Sequence, residues 1–424
     1  MPQDSSTDSA ALPGATSSST PRLGAPFHRL AWSNLLAQSA EQIGLAAAPM
    51  VAVLSLGAGP GATGFLTALQ SLPFLLLSFP AGVLADRFSR RRLMTLAELC
   101  RVVALLALPG LMLLGSLNIA LLGLLGFAGA TGTVAFSVAA PALVPALVSR
   151  AAWPAANGRL ELARSAAFAL GPALAGALIG WAGVSPAFVL AAALSSGAVL
   201  LLRGIAEPER PAQPPRHFWT DLKEGAGFAW SHPLLRPIVL TAVFWNLSWF
   251  VLQAAYVPYA AHVLGLSAVG IGTTLGMSGA GMVLGALLAP RVARHLSFGA
   301  AILIGPALSV GAAALMAATA WVHSMSIAAG AFFLFGAGPI IWTINQTTLR
   351  QTVTPNALLG RVSAFFMTAN TGARPLGAAL GGLVGASCGP RWAIFLAAGG
   401  FVIQAAIILG STVARLERLP APTA

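Results

Sequence analysis

Charge is scarce in this chain. Of 424 residues only 8% are Asp, Glu, Lys or Arg, against about 25% in soluble domains, which excludes a water-soluble enzyme and a disordered scaffold. Acid is scarcer than base, with 11 acidic against 23 basic residues. That excess does not indicate nucleic acid, because such binding needs a clustered basic face in polar surroundings. Here the basic residues sit in short breaks between apolar runs. Cysteine is nearly absent, and Cys100 and Cys388 offer neither metal-ligand spacing nor a disulfide framework. There is no phosphate-binding G-x-x-x-x-G-K-[ST] loop, nucleophile elbow or cluster of metal ligands, so neither catalysis nor a cofactor or metal is expected. What is plentiful is apolar side chain, 57% of the residues, with a mean hydropathy of +0.82. The 46 glycines and 29 prolines follow no three-residue period. Such a composition is that of a polytopic membrane protein.

Residues 1–27 are rich in Ser, Thr, Pro and Ala and carry Asp4 and Asp8. They lack the positive start and short apolar core of a secretory signal, and read as a disordered cytoplasmic tail. Twelve apolar runs follow, near the length of about 20 residues that crosses a bilayer. They cover 30–56, 62–85, 93–115, 117–141, 160–181, 184–203, 237–260, 268–290, 298–320, 324–347, 362–384 and 392–413. The runs are continuous rather than alternating, which predicts an all-α membrane protein and excludes an outer-membrane barrel. With both termini in the cytoplasm, 19 of the 23 basic residues fall in cytoplasmic segments, the bias expected when basic loops resist translocation. Residues 204–236 form the one long polar connection. They divide the chain into an amino-terminal bundle of six spans (28–203) and a carboxy-terminal one (237–413), followed by a short tail (414–424).

The halves share weak repeats. Gly82-Val83-Leu84 and Arg91 recur 203 residues later as Gly285-Ala286-Leu287 and Arg294, and Pro172 meets Pro375 at the same offset. Gly158-Arg159 meets Gly360-Arg361 at an offset of 202. Three matches in order suggest a duplication, hence two parallel six-helix pseudo-repeats.

The stretch Gly82-Val83-Leu84-Ala85-Asp86-Arg87-Phe88-Ser89-Arg90-Arg91-Arg92 resembles the loop signature of the major facilitator superfamily. The resemblance extends over residues 28 to about 413. Leu72-Pro73-Phe74, Pro154-Ala155-Ala156-Asn157 and Pro355 through Gly360-Arg361 are similar to the drug and siderophore exporter branch, which includes enterobactin-exporter-like proteins. Ser89 stands where the family commonly has a second glycine, so a left-handed turn there would be strained. In the second copy Ala289 replaces the acid at the Asp86 position. The resemblance implies that Gly82, Asp86 and Arg90 belong to a conformational latch near the start of span 11, whereas Arg91 and Arg92 read as lipid anchors. Gly171, Pro172 and Gly176 resemble an exporter-associated motif used at a helix–helix contact. The resemblance also implies a monomer in the cell membrane, the inner membrane of a bacterium, with spans 1, 4, 7 and 10 lining the path.

Ionisable groups inside spans cost about 2.5–3.5 kcal/mol on insertion scales, so each needs a partner or a task. Glu41 shares a face of span 1 with Asn34 and Gln38 at helical spacing, and is the first candidate for proton coupling. Glu98 is the second candidate, although Arg101 three residues on can pair with it. Glu161 and Arg164 repeat that spacing and read as structural. Arg374 lies deep in span 11 with no acid nearby in sequence. It would either pair with Glu41 or Glu98 across the bundle or attract an anionic substrate. Span 7 carries Asn246, Trp249, Gln253 and Tyr256 on one face, which lipid would reject. Span 10 adds Trp342, Asn345 and Gln346. Together these predict a proton-coupled exporter of a small amphipathic compound, a drug-like toxin or a siderophore-like metabolite, with protons, substrate and the bilayer as partners. The alternatives are a nutrient or lysophospholipid importer of the same fold and a non-transporting membrane sensor or assembly factor.

Overall fold

A computed structural model describes residues 23–149, 152–207 and 218–421; the side chains of Phe79, Gly82, Val83, Ala85, Asp86, Arg87, Pro154 and Phe218 lie outside that description. The first six helices are α1 (Ala25–Leu54), α2 (Pro60–Arg87), α3 (Arg90–Leu113), α4 (Ile119–Leu147), α5 (Trp153–Ala182) and α6 (Ser185–Arg203). A short helix, α7 (Phe218–Ser231), lies in the polar connection. Then come α8 (Leu235–His262), α9 (Ala268–His295), α10 (Phe298–Ala318), α11 (Met325–Val353), α12 (Leu359–Cys388) and α13 (Pro390–Leu409). No strand occurs among the described residues.

Ten of these helices are long and apolar enough to cross a membrane; α1, α7 and α12 are not. The sequence counts twelve such runs, and the difference has a physical origin. Helices α1 and α12 are each 30 residues long, but α1 carries Asn34, Gln38, Glu41 and Gln42, and α12 carries Arg361, Asn370 and Arg374. Their polar content lowers their hydropathy, as it must for helices that face something other than lipid. At 14 residues, α7 is simply too short. Helix α1 also starts at Ala25, inside the segment that the sequence assigns to the tail.

Local chemistry sets the helix ends. Asn118, Ser267, Ser297 and Ser324 accept a hydrogen bond from a backbone N–H of the turn that follows, the usual remedy for the unpaired donors of a helix start. Proline opens α1, α2, α5, α6 and α13, where its missing N–H is harmless. Tight reversals at one end of the molecule use left-handed glycines, as at Gly115 (φ 63°) and Gly389 (φ 95°). Ser89 corrects the expectation from sequence. It has φ −58° and caps α3 by accepting from Arg92 N at 3.2 Å, so its side chain is useful where a glycine would give nothing.

Helices α1–α6 pack mainly on one another, and so do α8–α13; the main contacts between the groups are α5 on α9 and α2 on α12, with α2 also touching α8. Small residues make these contacts close. A Cβ on Gly272 of α9 would lie 2.8 Å from Gly176 Cα of α5, and one on Gly382 of α12 the same distance from Gly64 Cα of α2. Thr63 Oγ1 donates to Ala254 O of α8 at 2.8 Å. These approaches lie at the end of the molecule remote from the arginine-rich loop between α2 and α3. They continue to mid-helix, where Ala169 of α5 meets Gly276 and Gly279 of α9.

Candidate functional site

Between the two groups runs a seam in which the polar residues of α1, α8 and α12 meet. Arg374 of α12 anchors its centre. Its Nε donates to Asn246 Oδ1 of α8 at 3.3 Å, and its guanidinium lies 5.2 Å from the ring of Phe74 on α2 and 5.6 Å from that of Phe250 on α8. Among the described residues no carboxylate is within ion-pair distance of it. The sequence left open whether Arg374 pairs with an acid; in this state it is held by an amide and two rings, one from each group.

Glu41 faces the seam from α1. It is half-buried and makes no hydrogen bond or ion pair to the described residues. Glu98 is different. It is fully buried and bound to Arg101 at 2.6 Å, and Arg101 also donates to Ala37 O of α1 at 3.2 Å and to Thr133 Oγ1 of α4 at 2.6 Å. This network ties α1, α3 and α4 together. One oxygen of Glu98, Oε2, is left without a partner.

The remaining candidates separate into open and enclosed groups. Gln38 and Gln253 are half-buried and without a hydrogen bond among the described residues. Asn34 is buried and donates to Leu160 O of α5 at 3.1 Å. Tyr256 is fully buried, bonded to Thr274 of α9 at 2.5 Å and set edge-on to Phe332. Trp249 stacks on Trp245 with centroids 5.5 Å apart, inside a cluster with Phe332 and Phe335. Thus the face of α8 that the sequence marks as polar is split in this state. Gln253 remains available and Asn246 is engaged by Arg374 and by Ala242 O, whereas Trp249 and Tyr256 are packed within the carboxy-terminal group. Trp342 packs against α10 at Gly305, and Gln346 donates to Thr347 Oγ1 at 2.9 Å while its Oε1 is buried without a partner.

Gly171 packs on Gln42 of α1, and Pro172 and Gly176 pack on Gly272 of α9. The motif therefore lies where α5 contacts both its own group and the other one. Gly82 and the Asp86 side chain fall outside the described residues. Arg90 donates to Ala142 O of α4. Beside it Glu207 accepts from Ser89 Oγ at 2.6 Å, from Arg90 N at 3.2 Å and from Arg91 N at 3.0 Å, a carboxylate at the positive end of α3. Arg91 is engaged rather than free for lipid, donating to Arg203 O at 3.3 Å and Ile205 O at 3.2 Å at the end of α6.

Sequence reasoning missed Gln70, Phe74, Thr133, Glu207 and Phe250. Gln70 could have been found, since an amide amid the apolar residues of span 2 is as costly as those that were noticed. The other four are ordinary residues whose importance comes only from what the fold places beside them.

Comparison with known proteins fits this architecture. The family model of the Major Facilitator Superfamily matches residues 30–378. The chain belongs to that superfamily. This facilitator is 31% identical over 343 residues to the enterobactin exporter EntS of Citrobacter koseri, covering 77% of this chain and 78% of that one. Its identity and coverage are the same against the EntS of Salmonella typhimurium. The fold superposes on a bacterial homologue of the iron transporter ferroportin in its inward-facing state with a TM-score of 0.72, at 17% identity and covering 91% of this chain and 98% of that one. The facilitator is thus a multi-pass membrane transporter of an efflux-type lineage, and not an enzyme.

Proposed function

We propose that this facilitator is a proton-driven exporter of a small amphipathic compound, siderophore-like or drug-like, in which Glu41 carries the coupling proton. The observation that carries the reading is the state of Glu41, a carboxylate in mid-helix, facing the seam, with no protein partner. Every other acid with a described side chain inside a span has a cation to neutralise it, as Glu98 has Arg101 and Glu161 has Arg164. A lone acid in that setting is expensive to keep and serves where its protonation changes.

The geometry supports the following cycle. In this conformation the groups touch at the end remote from the arginine-rich loop, which in the bacterial inner membrane with cytoplasmic termini is the outer side. The substrate enters the seam from the cytoplasm. The two groups then rock about α2–α12 and α5–α9 and open the other side. A proton reaching Glu41 from outside removes its charge and stabilises the return, and substrate binding favours the outward movement. Asp86 and Arg90 hold the cytoplasmic side closed during the other half of the cycle. Relatedness to enterobactin exporters supports the outward direction and the metabolite-like cargo.

The test uses inverted membrane vesicles that contain the protein, energised with a proton gradient, and measures accumulation of a compound panel with and without an uncoupler. Wild type is expected to accumulate at least one compound in an uncoupler-sensitive way, and Glu41→Gln to lose that sensitivity while still exchanging substrate across the membrane. Full uncoupler-sensitive accumulation by Glu41→Gln would remove Glu41 from the coupling role.

A further inference from the structure

The tryptophans that the fold leaves exposed are not scattered. Trp181 at the end of α5, Trp321 after α10 and Trp392 at the start of α13 are 87%, 74% and 60% exposed. All three lie at the end of the molecule remote from the arginine-rich loop. Tryptophan gathers at both membrane–water boundaries, because its ring suits the apolar side and its N–H the wet one. These three therefore mark one boundary. At the opposite end the exposed tryptophans among the described residues are Trp32, seven residues into α1, and Trp219 and Trp230, both on α7.

Helix α7 is placed to reach that second boundary. Only His232, Pro233 and Leu234 separate it from α8, and its Gly225 rests on the backbone of Arg361 in the first turn of α12. It thus lies where two other helices begin. Around its axis the side chains fall into sectors. Gly225 and Ala229 are buried with Leu222 beside them, and Glu224, Gly227 and Ser231 are exposed on the far side. A flank between these sectors carries Trp219, Lys223, Ala226 and Trp230. Their steps of four, three and four make a stripe about 16 Å long. Trp219 is 71% and Trp230 49% exposed, so the protein itself does not cover this stripe.

The charge on this flank has one sign. Asp221 and Glu224 are turned to Arg361, at 2.9 Å and 2.8 Å. Lys223 is exposed and has no ion pair among the described residues. Arg236 is exposed as well, and its guanidinium lies 5.1 Å from the ring of Trp230. It stands in the first turn of α8, which holds no acid, and there the helix dipole disfavours a cation. Anions beside Lys223 and Arg236 would neutralise both.

We propose that α7 is an interfacial helix: its Trp219–Trp230 flank lies in the headgroup layer of the leaflet on the arginine-rich side, and Lys223 and Arg236 hold phosphates of anionic phospholipid there. An aromatic flank bordered by basic residues, with a polar outer face, is the make-up of helices that lie in that layer. Because α7 is also seated on α12, the anchor ties the start of α12 to the bilayer surface. The inference concerns the lipid rather than the cargo and stands whichever compound is carried.

The experiment uses the full chain in lipid nanodiscs, with Cys100 and Cys388 replaced by alanine. A spin label is attached to a cysteine at Ala226, in the stripe, or at Gly227, on the far side, where a Cβ would meet nothing within 4 Å. Collision with oxygen, which concentrates in lipid, is compared with collision with a water-soluble nickel chelate. The Ala226 label is expected to favour oxygen and the Gly227 label the chelate. Amide exchange across residues 218–231 is then compared between discs of phosphatidylcholine alone and discs of an equal mixture with phosphatidylglycerol. Exchange in the mixture is expected to be slower by about fivefold for each basic side chain near the surface. Lys223→Gln combined with Arg236→Gln is expected to remove that difference, and Trp219→Ser combined with Trp230→Ser to speed exchange in both kinds of disc. Thermal unfolding checks that each variant is folded. Chelate contact at Ala226 equal to that at Gly227 would overturn the inference, because the flank would then face water. Equal exchange of wild type in the two lipids would overturn it too. So would broadening between Ala226 labels that disappears on dilution with unlabelled protein, which would give the flank to a second copy of the chain.

Discussion

Gly64 of α2 and Gly382 of α12 meet backbone to backbone, and no side chain larger than hydrogen fits between them. This contact and that of Gly176 with Gly272 seal one end of the seam. A methyl group at either place cannot be absorbed by a flexible neighbour, because what it meets is main chain. Overpacking costs typically 1–3 kcal/mol, and here the sealed state alone bears it. Gly382→Val is therefore expected to shift the balance away from the sealed state by about 5- to 150-fold without preventing folding. Spin labels on Cys388 and on a cysteine placed at Ser55, with Cys100 replaced by alanine, would report a longer distance at that end. An unchanged distance distribution would mean that the contact is not what holds the end shut.

The buried pair Glu98–Arg101 makes the opposite kind of prediction, about stability rather than state. Both side chains are almost completely enclosed, so removing one leaves the other charged and unpaired. Breaking such a pair costs about 3–5 kcal/mol, whereas replacing both by apolar groups of similar volume is often neutral. Arg101→Met is expected to lower the unfolding temperature in detergent sharply, and Glu98→Leu combined with Arg101→Met to recover most of the loss. A double variant as unstable as the single one would show that Ala37 and Thr133, rather than Glu98, are what Arg101 is needed for.

Much of this was legible in the sequence because helices keep their own residues in fixed order. Glu98 with Arg101 and Glu161 with Arg164 follow from a spacing of three, and the solitary character of Glu41 and Arg374 follows from the lack of an opposite charge nearby on the same helix. The seam itself was legible only in part. Asn246, Trp249, Gln253 and Tyr256 share a face by spacing, but whether a face meets water or a neighbouring helix depends on residues such as Thr274 and Phe332, far away in sequence. The α7 helix was legible yet unread, since Leu222, Gly225 and Ala229 already share one face at helical spacing, with Glu224, Gly227 and Ser231 on the far side. The role of Glu207 could not be read. Nothing in its neighbourhood says that its carboxylate will sit on the start of α3, more than a hundred residues earlier.

Helix α7 is fastened to α12 by Arg361, which meets Asp221 at 2.9 Å and Glu224 at 2.8 Å, and by Gly225, which packs on the Arg361 backbone. The charged groups are partly exposed, and such pairs contribute only about 0–1 kcal/mol each. Asp221→Asn alone is thus expected to change little. Gly225→Leu removes the close approach itself and is expected to release the helix, seen as loss of amide protection against hydrogen exchange across residues 218–231. If Asp221→Asn releases α7 as fully as Gly225→Leu does, charge rather than packing is the fastening.

The turn between α7 and α8 gives a pH dependence whose sign can be worked out. His232 lies outside the spans; its Nδ1 accepts from Leu234 N at 3.2 Å and its ring leans on Phe228 at 5.6 Å. Burial pushes its pKa below the ordinary 6.5, because the charged ring is the form that suffers from lost solvation. An accepting Nδ1 also requires the neutral ring. The folded turn therefore binds its proton less readily than the unfolded one. The stability that this arrangement contributes is complete above about pH 6.5, and it declines as pH falls from there through the lower folded-state value. Amide exchange at residues 231–236 is expected to speed up, relative to the rest of the molecule, between pH 7 and pH 5, and His232→Gln is expected to abolish that local pH dependence. Exchange there that slows on acidification more than in the rest of the molecule would require a carboxylate near His232 that outweighs its burial.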